Sequence, residues 1–147
     1  LADAGIIPGI KVDAGAKILA GHPGEKITEG LDGLRDRLAE YFQMGARFAK
    51  WRAVIVISES LPSRGCSEAN AHALARSAAA CQEAGRVPVV EPEVLMDGSQ
   101  GVDAAGNVIM AFGQFVVGRN FDVGVVVFLV LIAIHTIVHN PDAVRLQ

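Results

Sequence analysis

Five charged residues stand where they could move protons beside a carbonyl group: Lys11 in GIKVD, Lys50 and Arg52 in FAKWR, and Glu91 and Glu93 in VPVVEPE. Each sits in or at the end of an otherwise apolar run. Lys50 and Arg52 have the same parity, so in a strand they face the same way. Lys11 and Glu91 lie roughly forty residues before and after Lys50, about one β/α unit in each direction. On neighbouring parallel strands such positions lie side by side, and Lys11, Lys50, Arg52 and Glu91 could meet in one cavity. Taking an ion out of water costs several kcal/mol unless it is paired, so opposite charges are expected to cluster there. A lysine beside a carboxylate is the usual apparatus for proton transfer next to a carbonyl.

The elements that must position these groups follow a β-α-β-α-β order. Residues 6–12 read as a short buried strand ending in Lys11, followed by a glycine-rich loop through Gly24. Residues 28–44 place Leu31, Leu34, Leu38, Tyr41 and Phe42 on one helical stripe, with Thr28 as N-cap and Gly45 as stop. FAKWRAVIVI, residues 48–57, is β-branched and aromatic and reads as the second strand. Residues 67–84 form an alanine-rich helix closed by Gly85, and residues 87–91 a third strand ending in the carboxylates. Strands that stay apolar until a charge appears are typical of parallel sheets covered by crossover helices. The fold class is therefore parallel α/β.

Composition narrows the function classes. The chain has 147 residues, too short for a closed eight-unit barrel of roughly 250 residues. A hydrophobic content of 51% excludes a disordered polyelectrolyte, and a net charge of −3 gives no footprint for nucleic acid. Cys66 and Cys81 form no CxxC pair, so neither a disulfide framework nor a zinc site is expected, and the default location is the cytoplasm. His135 and His139 have metal-ligand spacing but no third ligand; no metal site is assigned. His22 reads as a loop histidine, His72 as a solvated helix histidine and Trp51 as core packing. The bland alternatives for the charged residues are a solvated edge strand for Lys50 and Arg52, a surface pair of Lys11 with Asp13, and a strand-end cap for Glu91 and Glu93.

The segments GIKVD, EGLDGL, FAKWR, EANAHALAR and VPVVEPE, in this order and spacing, resemble class I fructose-1,6-bisphosphate aldolase, the Schiff-base enzyme of glycolysis. The resemblance covers residues 1–100 and implies the central part of a TIM (β/α) barrel. It implies an aldehyde-lyase that reversibly cleaves fructose 1,6-bisphosphate to dihydroxyacetone phosphate and glyceraldehyde 3-phosphate, with no cofactor and with a homo-oligomeric parent enzyme. By the same resemblance Lys50 is the central lysine that stabilises charge during carbon–carbon cleavage, Arg52 holds substrate, and Lys11 lies near a substrate phosphate. Glu91 is implied as the acid/base of carbinolamine dehydration and Glu93 as the carboxylate that keeps the lysine environment polar. The family's nucleophilic lysine belongs to an LEGxLLKP-like strand, which nothing in this sequence matches. No Schiff-base lysine is therefore assigned, and the chain is expected to be an incomplete one, inactive alone.

Family character is expected to end near Gln100. Residues 101–147 are valine-rich, with charges thinned to Asp103, Arg119, Asp122, Asp142 and Arg145, and read as an unassigned apolar tail from a reading-frame change or chimaeric join. The run 123–138 is expected to pack on the sheet as regular structure or to project as one apolar helix; it falls short of the roughly twenty residues of a bilayer span. A non-catalytic, membrane-tethered or interaction protein built on an aldolase half-barrel is the alternative reading.

Overall fold

The apolar, β-branched runs form the strands that the sequence pattern demands, and the two alanine- and leucine-bearing stripes form the helices that cover them. The structure, a computed structural model, describes residues 4–96, Met110 and two short stretches further on. The elements are β1 (Gly9–Lys11), β2 (Gly15–Ile18), β3 (Lys26–Glu29), α1 (Leu34–Gln43), β4 (Phe48–Ile57), α2 (Arg64–Glu83), β5 (Val87–Met96), β6 (Val127–Phe128) and β7 (Leu131–Ile134). Strands β1, β4 and β5 lie side by side and parallel, while β6 and β7 both run parallel to β5 along its other edge. Strands β2 and β3 form a separate antiparallel hairpin.

Register places Lys11 beside Lys50, Arg52 beside Glu91 and Val54 beside Glu93. Because side chains alternate along a strand, all five charged residues share one face of the sheet. The opposite face carries Ala49, Trp51, Ala53 and Ile55 of β4 and Val90 of β5, all 2% exposed or less, packed with Leu34 and Leu38 of α1 and Leu74, Ala78 and Cys81 of α2. Trp51 is thus core packing, as its sequence context indicates. The helices cover one face and leave the charged one open.

Five local expectations are corrected. The first strand is Gly9–Lys11 alone; Ile6 and Ile7, 51% and 69% exposed, lie outside it. The segment expected as a glycine-rich loop holds the β2–β3 hairpin. Thr28 is not a helix cap: it sits buried in β3, its Oγ1 donating to the Arg52 carbonyl at 2.8 Å, and α1 starts at Leu34 after Gly33, whose φ is 63°. Strand β5 runs on to Met96, so Glu93 stands within it rather than at its end. Helix α2 begins earlier than expected, where the Ser63 side chain accepts from the Cys66 amide at 3.1 Å, a standard N-cap. Within the apolar run 123–138, the described residues are the strands β6 and β7, parallel to β5, and not a helix. No helix among the described residues is long and apolar enough to cross a membrane. His135 and His139 lie outside the described residues.

Candidate active site

On the open face, Lys50 Nζ of β4 lies 2.8 Å from Glu91 Oε2 of β5. The Glu91 side chain is 1% exposed and that of Lys50 is 35% exposed, so the carboxylate is inside the protein and the ammonium bridges it to the open side. Glu91 Oε2 has no hydrogen-bond partner among the described residues; the contact with Lys50 is a close ion pair off the hydrogen-bonding line. One step along the same strands, Arg52 Nη1 lies 3.3 Å from Glu93 Oε2. The expected clustering of opposite charges is therefore realised as two adjacent cation–carboxylate pairs, and the solvated-edge alternative for Lys50 is not what the structure adopts. A buried carboxylate held against one ammonium, with an oxygen still lacking a hydrogen bond, can take up or release a proton at a bound carbonyl or hydroxyl.

Lys11 joins this face but neither of these pairs. Its ammonium contacts Asp13 Oδ1, the partner that the surface-pair alternative named. Asp13 is nevertheless no surface residue, for its side chain is 1% exposed. Its Oδ1 also accepts from the Gly15 amide at 3.0 Å and its Oδ2 from the Arg52 amide at 3.2 Å. Sequence reasoning missed this role because two of the three bonds go to main-chain amides, which residue types do not advertise. The parity of Lys11 and Asp13 in GIKVD was the only available signal.

Behind the site, long-range polar contacts fix the hairpin against the sheet. Buried Asn70 of α2 accepts from the Thr28 amide at 3.3 Å and donates to the Lys26 carbonyl at 2.8 Å. Glu25, 4% exposed, accepts from Ser63 N and Ser63 Oγ, both at 2.6 Å. Burial by itself raises the Glu25 pKa. The side-chain and main-chain hydrogen bonds from Ser63, the Cys66 contact and the charge of His22 outweigh it, holding the carboxyl below the ordinary glutamate value. Cys66 and Cys81 are buried free thiols, each pushed up to about 11, principally by burial. Such thiols are inert packing groups rather than nucleophiles. His22 and exposed His72 lie on the hairpin turn and α2, and neither belongs to the Lys50–Glu91 cluster. No group of metal-binding side chains occurs among the described residues.

The described residues thus form a parallel α/β sheet with paired lysine, arginine and glutamate side chains on one face. The comparisons with known proteins give the family. The family model described as Glycolytic, fructose-bisphosphate aldolase class-I, matches residues 1–130. Similar chains include a probable fructose-bisphosphate aldolase class 1 of Xanthomonas campestris pv. campestris, 61% identical over 86% of this chain and 38% of the relative. One from Xylella fastidiosa is 66% identical over 76% of this chain and 33% of the relative, and the cytosolic fructose-bisphosphate aldolase 6 of Arabidopsis thaliana is 56% identical over 69% and 28%. Among solved structures, a fructose-bisphosphate aldolase from Plasmodium falciparum, crystallised with TRAP and a small-molecule inhibitor, matches with a TM-score of 0.72 and 43% identity, over 78% of this chain and 34% of that one. The chain belongs to the class I fructose-bisphosphate aldolase family. It spans between 28% and 38% of the length of these relatives. The family match also runs to residue 130, beyond the limit near residue 100 expected from sequence motifs, although the Arabidopsis relative aligns over 102 residues.

Proposed function

We propose that this chain carries the proton-transfer and anion-binding half of a class I fructose-bisphosphate aldolase site, built on residues 1–100 as a central part of the β/α barrel. The observation that carries the reading is the Lys50–Glu91 ion pair at 2.8 Å, with Arg52–Glu93 beside it on the same two strands. In this reading Lys50 stabilises the negative charge that develops as the carbon–carbon bond of fructose 1,6-bisphosphate breaks. Glu91 relays the proton needed when a carbinolamine loses water, and Glu93 holds Arg52 in place and keeps the lysine surroundings polar. Arg52 and Lys11, both on the open face, bind phosphate oxygens; an arginine fork suits a phosphate as a bidentate partner and a lysine as a point charge.

The covalent step needs an amine that attacks the ketose carbonyl. The 147-residue chain contains four lysines, Lys11, Lys17, Lys26 and Lys50. Lys17 and Lys26 stand on the β2–β3 hairpin, opposite Ile27 and Ile18 in its register, while Lys11 and Lys50 are committed to carboxylates. Removing the nucleophile removes the electron sink, which binding groups do not replace. The chain on its own is therefore proposed to bind fructose 1,6-bisphosphate without cleaving it. Relatives named cytosolic or cytoplasmic support a cytoplasmic setting.

The test is binding of fructose 1,6-bisphosphate to the 147-residue chain, followed by calorimetry or amide shifts, with Arg52→Met and Lys50→Met beside the parent. Saturable binding that each substitution weakens about tenfold or more, without triose phosphate release, supports the reading; a single charge-assisted contact accounts for that factor. Binding that neither substitution alters would refute it.

A further inference from the structure

Strand β1 ends at Lys11, and the chain then turns away into the β2–β3 hairpin. The ladder between β1 and β4 continues one residue further, with the Val12 amide donating to the Lys50 carbonyl at 3.0 Å. The next amide of β4 on this side, that of Arg52, meets no main-chain acceptor from β1. It donates instead to Asp13 Oδ2 at 3.2 Å. The Val12 carbonyl is engaged elsewhere, by Arg37 Nη2 at 3.4 Å, and Arg37 also binds the Gly30 carbonyl where the hairpin leads into α1. The other carboxylate oxygen of Asp13 takes the Lys11 ammonium and the Gly15 amide that opens the hairpin.

One carboxylate, 1% exposed, thus joins three things: a site cation on β1, the main chain beneath a second site cation on β4, and the first residue of the hairpin. Lysine side chains carry about 2 kcal/mol of rotamer entropy, so an untethered Lys11, half exposed as it is, would sample many positions. A fixed acceptor restricts the ammonium to one region above the sheet.

We propose that Asp13 is a positioning residue of this site, setting where the Lys11 ammonium stands relative to Arg52 so that the two cations together grip a sugar phosphate. The inference rests on the proposed binding of fructose 1,6-bisphosphate for its functional half. Asp13 touches no substrate in this scheme; it acts through Lys11 and through the Arg52 main chain. The carboxylate is required in two capacities, as a counter-charge for Lys11 and as an acceptor for two amides. Asn supplies one acceptor oxygen without the charge.

The experiment is a double-mutant cycle on the full chain, with fructose 1,6-bisphosphate as probe and Asp13→Asn, Lys11→Met and the double variant as members. Affinity is expected to fall about tenfold in Asp13→Asn, and the Asn substitution is expected to have almost no further effect once Lys11 is Met. An equal loss in both backgrounds would make Asp13 a general structural residue and overturn the proposal, as would no loss at all. A measurement on the unsubstituted chain guards against a variant that fails to fold: the scalar coupling from the Arg52 amide nitrogen to the Asp13 carboxylate carbon. Its presence supports the clamp and its absence in the folded chain overturns it. If the parent chain binds no fructose 1,6-bisphosphate, the site reading fails, and the clamp is then judged by that coupling and by whether Asp13→Asn displaces the Lys11 side-chain resonances; unchanged resonances refute it.

Discussion

Glu91 and Glu93 differ little in sequence context yet occupy different environments, and the difference determines what each cation is worth. Glu91 is 1% exposed and leans on Lys50, so replacing Lys50 by Met strands a carboxylate inside the protein. Breaking a buried pair by removing one partner typically costs about 3–5 kcal/mol. With Lys50 itself a third exposed, water softens the loss, and about 2–3 kcal/mol is expected. Arg52 and Glu93 are 43% and 16% exposed, and Arg52→Met is expected to cost under about 1 kcal/mol. Urea unfolding of the two variants separates these cases by their midpoints. Glu25 provides the pH test at this scale. Its carboxyl titrates below the ordinary glutamate value of 4.5 in the folded chain, so the unfolded chain binds the proton more readily. The stabilisation is complete above that value and is lost as pH falls through the lower folded one. Glu25→Gln is expected to lower the urea midpoint at pH 7, and the gap to the parent is expected to narrow steadily below pH about 4.5.

The elements set these environments, and they were unequally legible. Strands β4 and β5 could be read from sequence because a ten-residue β-branched run with alternating charges has one sensible register, and that register brings Lys50 to Glu91. The hairpin could not. Its strands GAKI and KITE are short and only half exposed, with no apolar period, and what holds Thr28 in place is Asn70, 42 residues away. A threonine in front of an apolar stripe looks like a helix cap until that distant amide group claims it. Asp13 was hidden for the same reason, since its bond to Arg52 spans 39 residues and ends on a main-chain amide. Gly30 is the joint where hairpin gives way to helix: its φ is +121°, and an added Cβ would stand 2.7 Å from the Ala14 main-chain nitrogen. Backbone cannot move aside as a side-chain tip can. Gly30→Ala is therefore expected to destabilise the chain by about 2–3 kcal/mol, whereas Gly33→Ala, whose added Cβ would meet only the tip of Arg37 at 3.6 Å, costs about 1–2 kcal/mol. Thermal unfolding of the pair checks the order.

At the scale of the whole molecule, the described structure is a helix-backed parallel sheet whose charged face stays open and whose far edge, along β5, is lined by β6 and β7. The apolar core lies on the helix side and ionic pairing on the other, so the two kinds of contact stand on opposite faces of the same strands. The sequence carried the first through apolar spacing and the second through parity. The segments that reveal the family all lie before residue 100, while the family match runs to residue 130. The central proposal is that this chain brings the charge-stabilising and proton-relaying groups of a Schiff-base aldolase site without supplying its nucleophile. Borohydride reduction of the chain in the presence of dihydroxyacetone phosphate, followed by mass spectrometry, tests it directly. The expected result is no increase in mass on any of the four lysines, Lys11, Lys17, Lys26 and Lys50. A stable triose adduct on Lys50 or Lys11 would contradict the account, because it would make a residue assigned to charge stabilisation or phosphate binding the nucleophile itself.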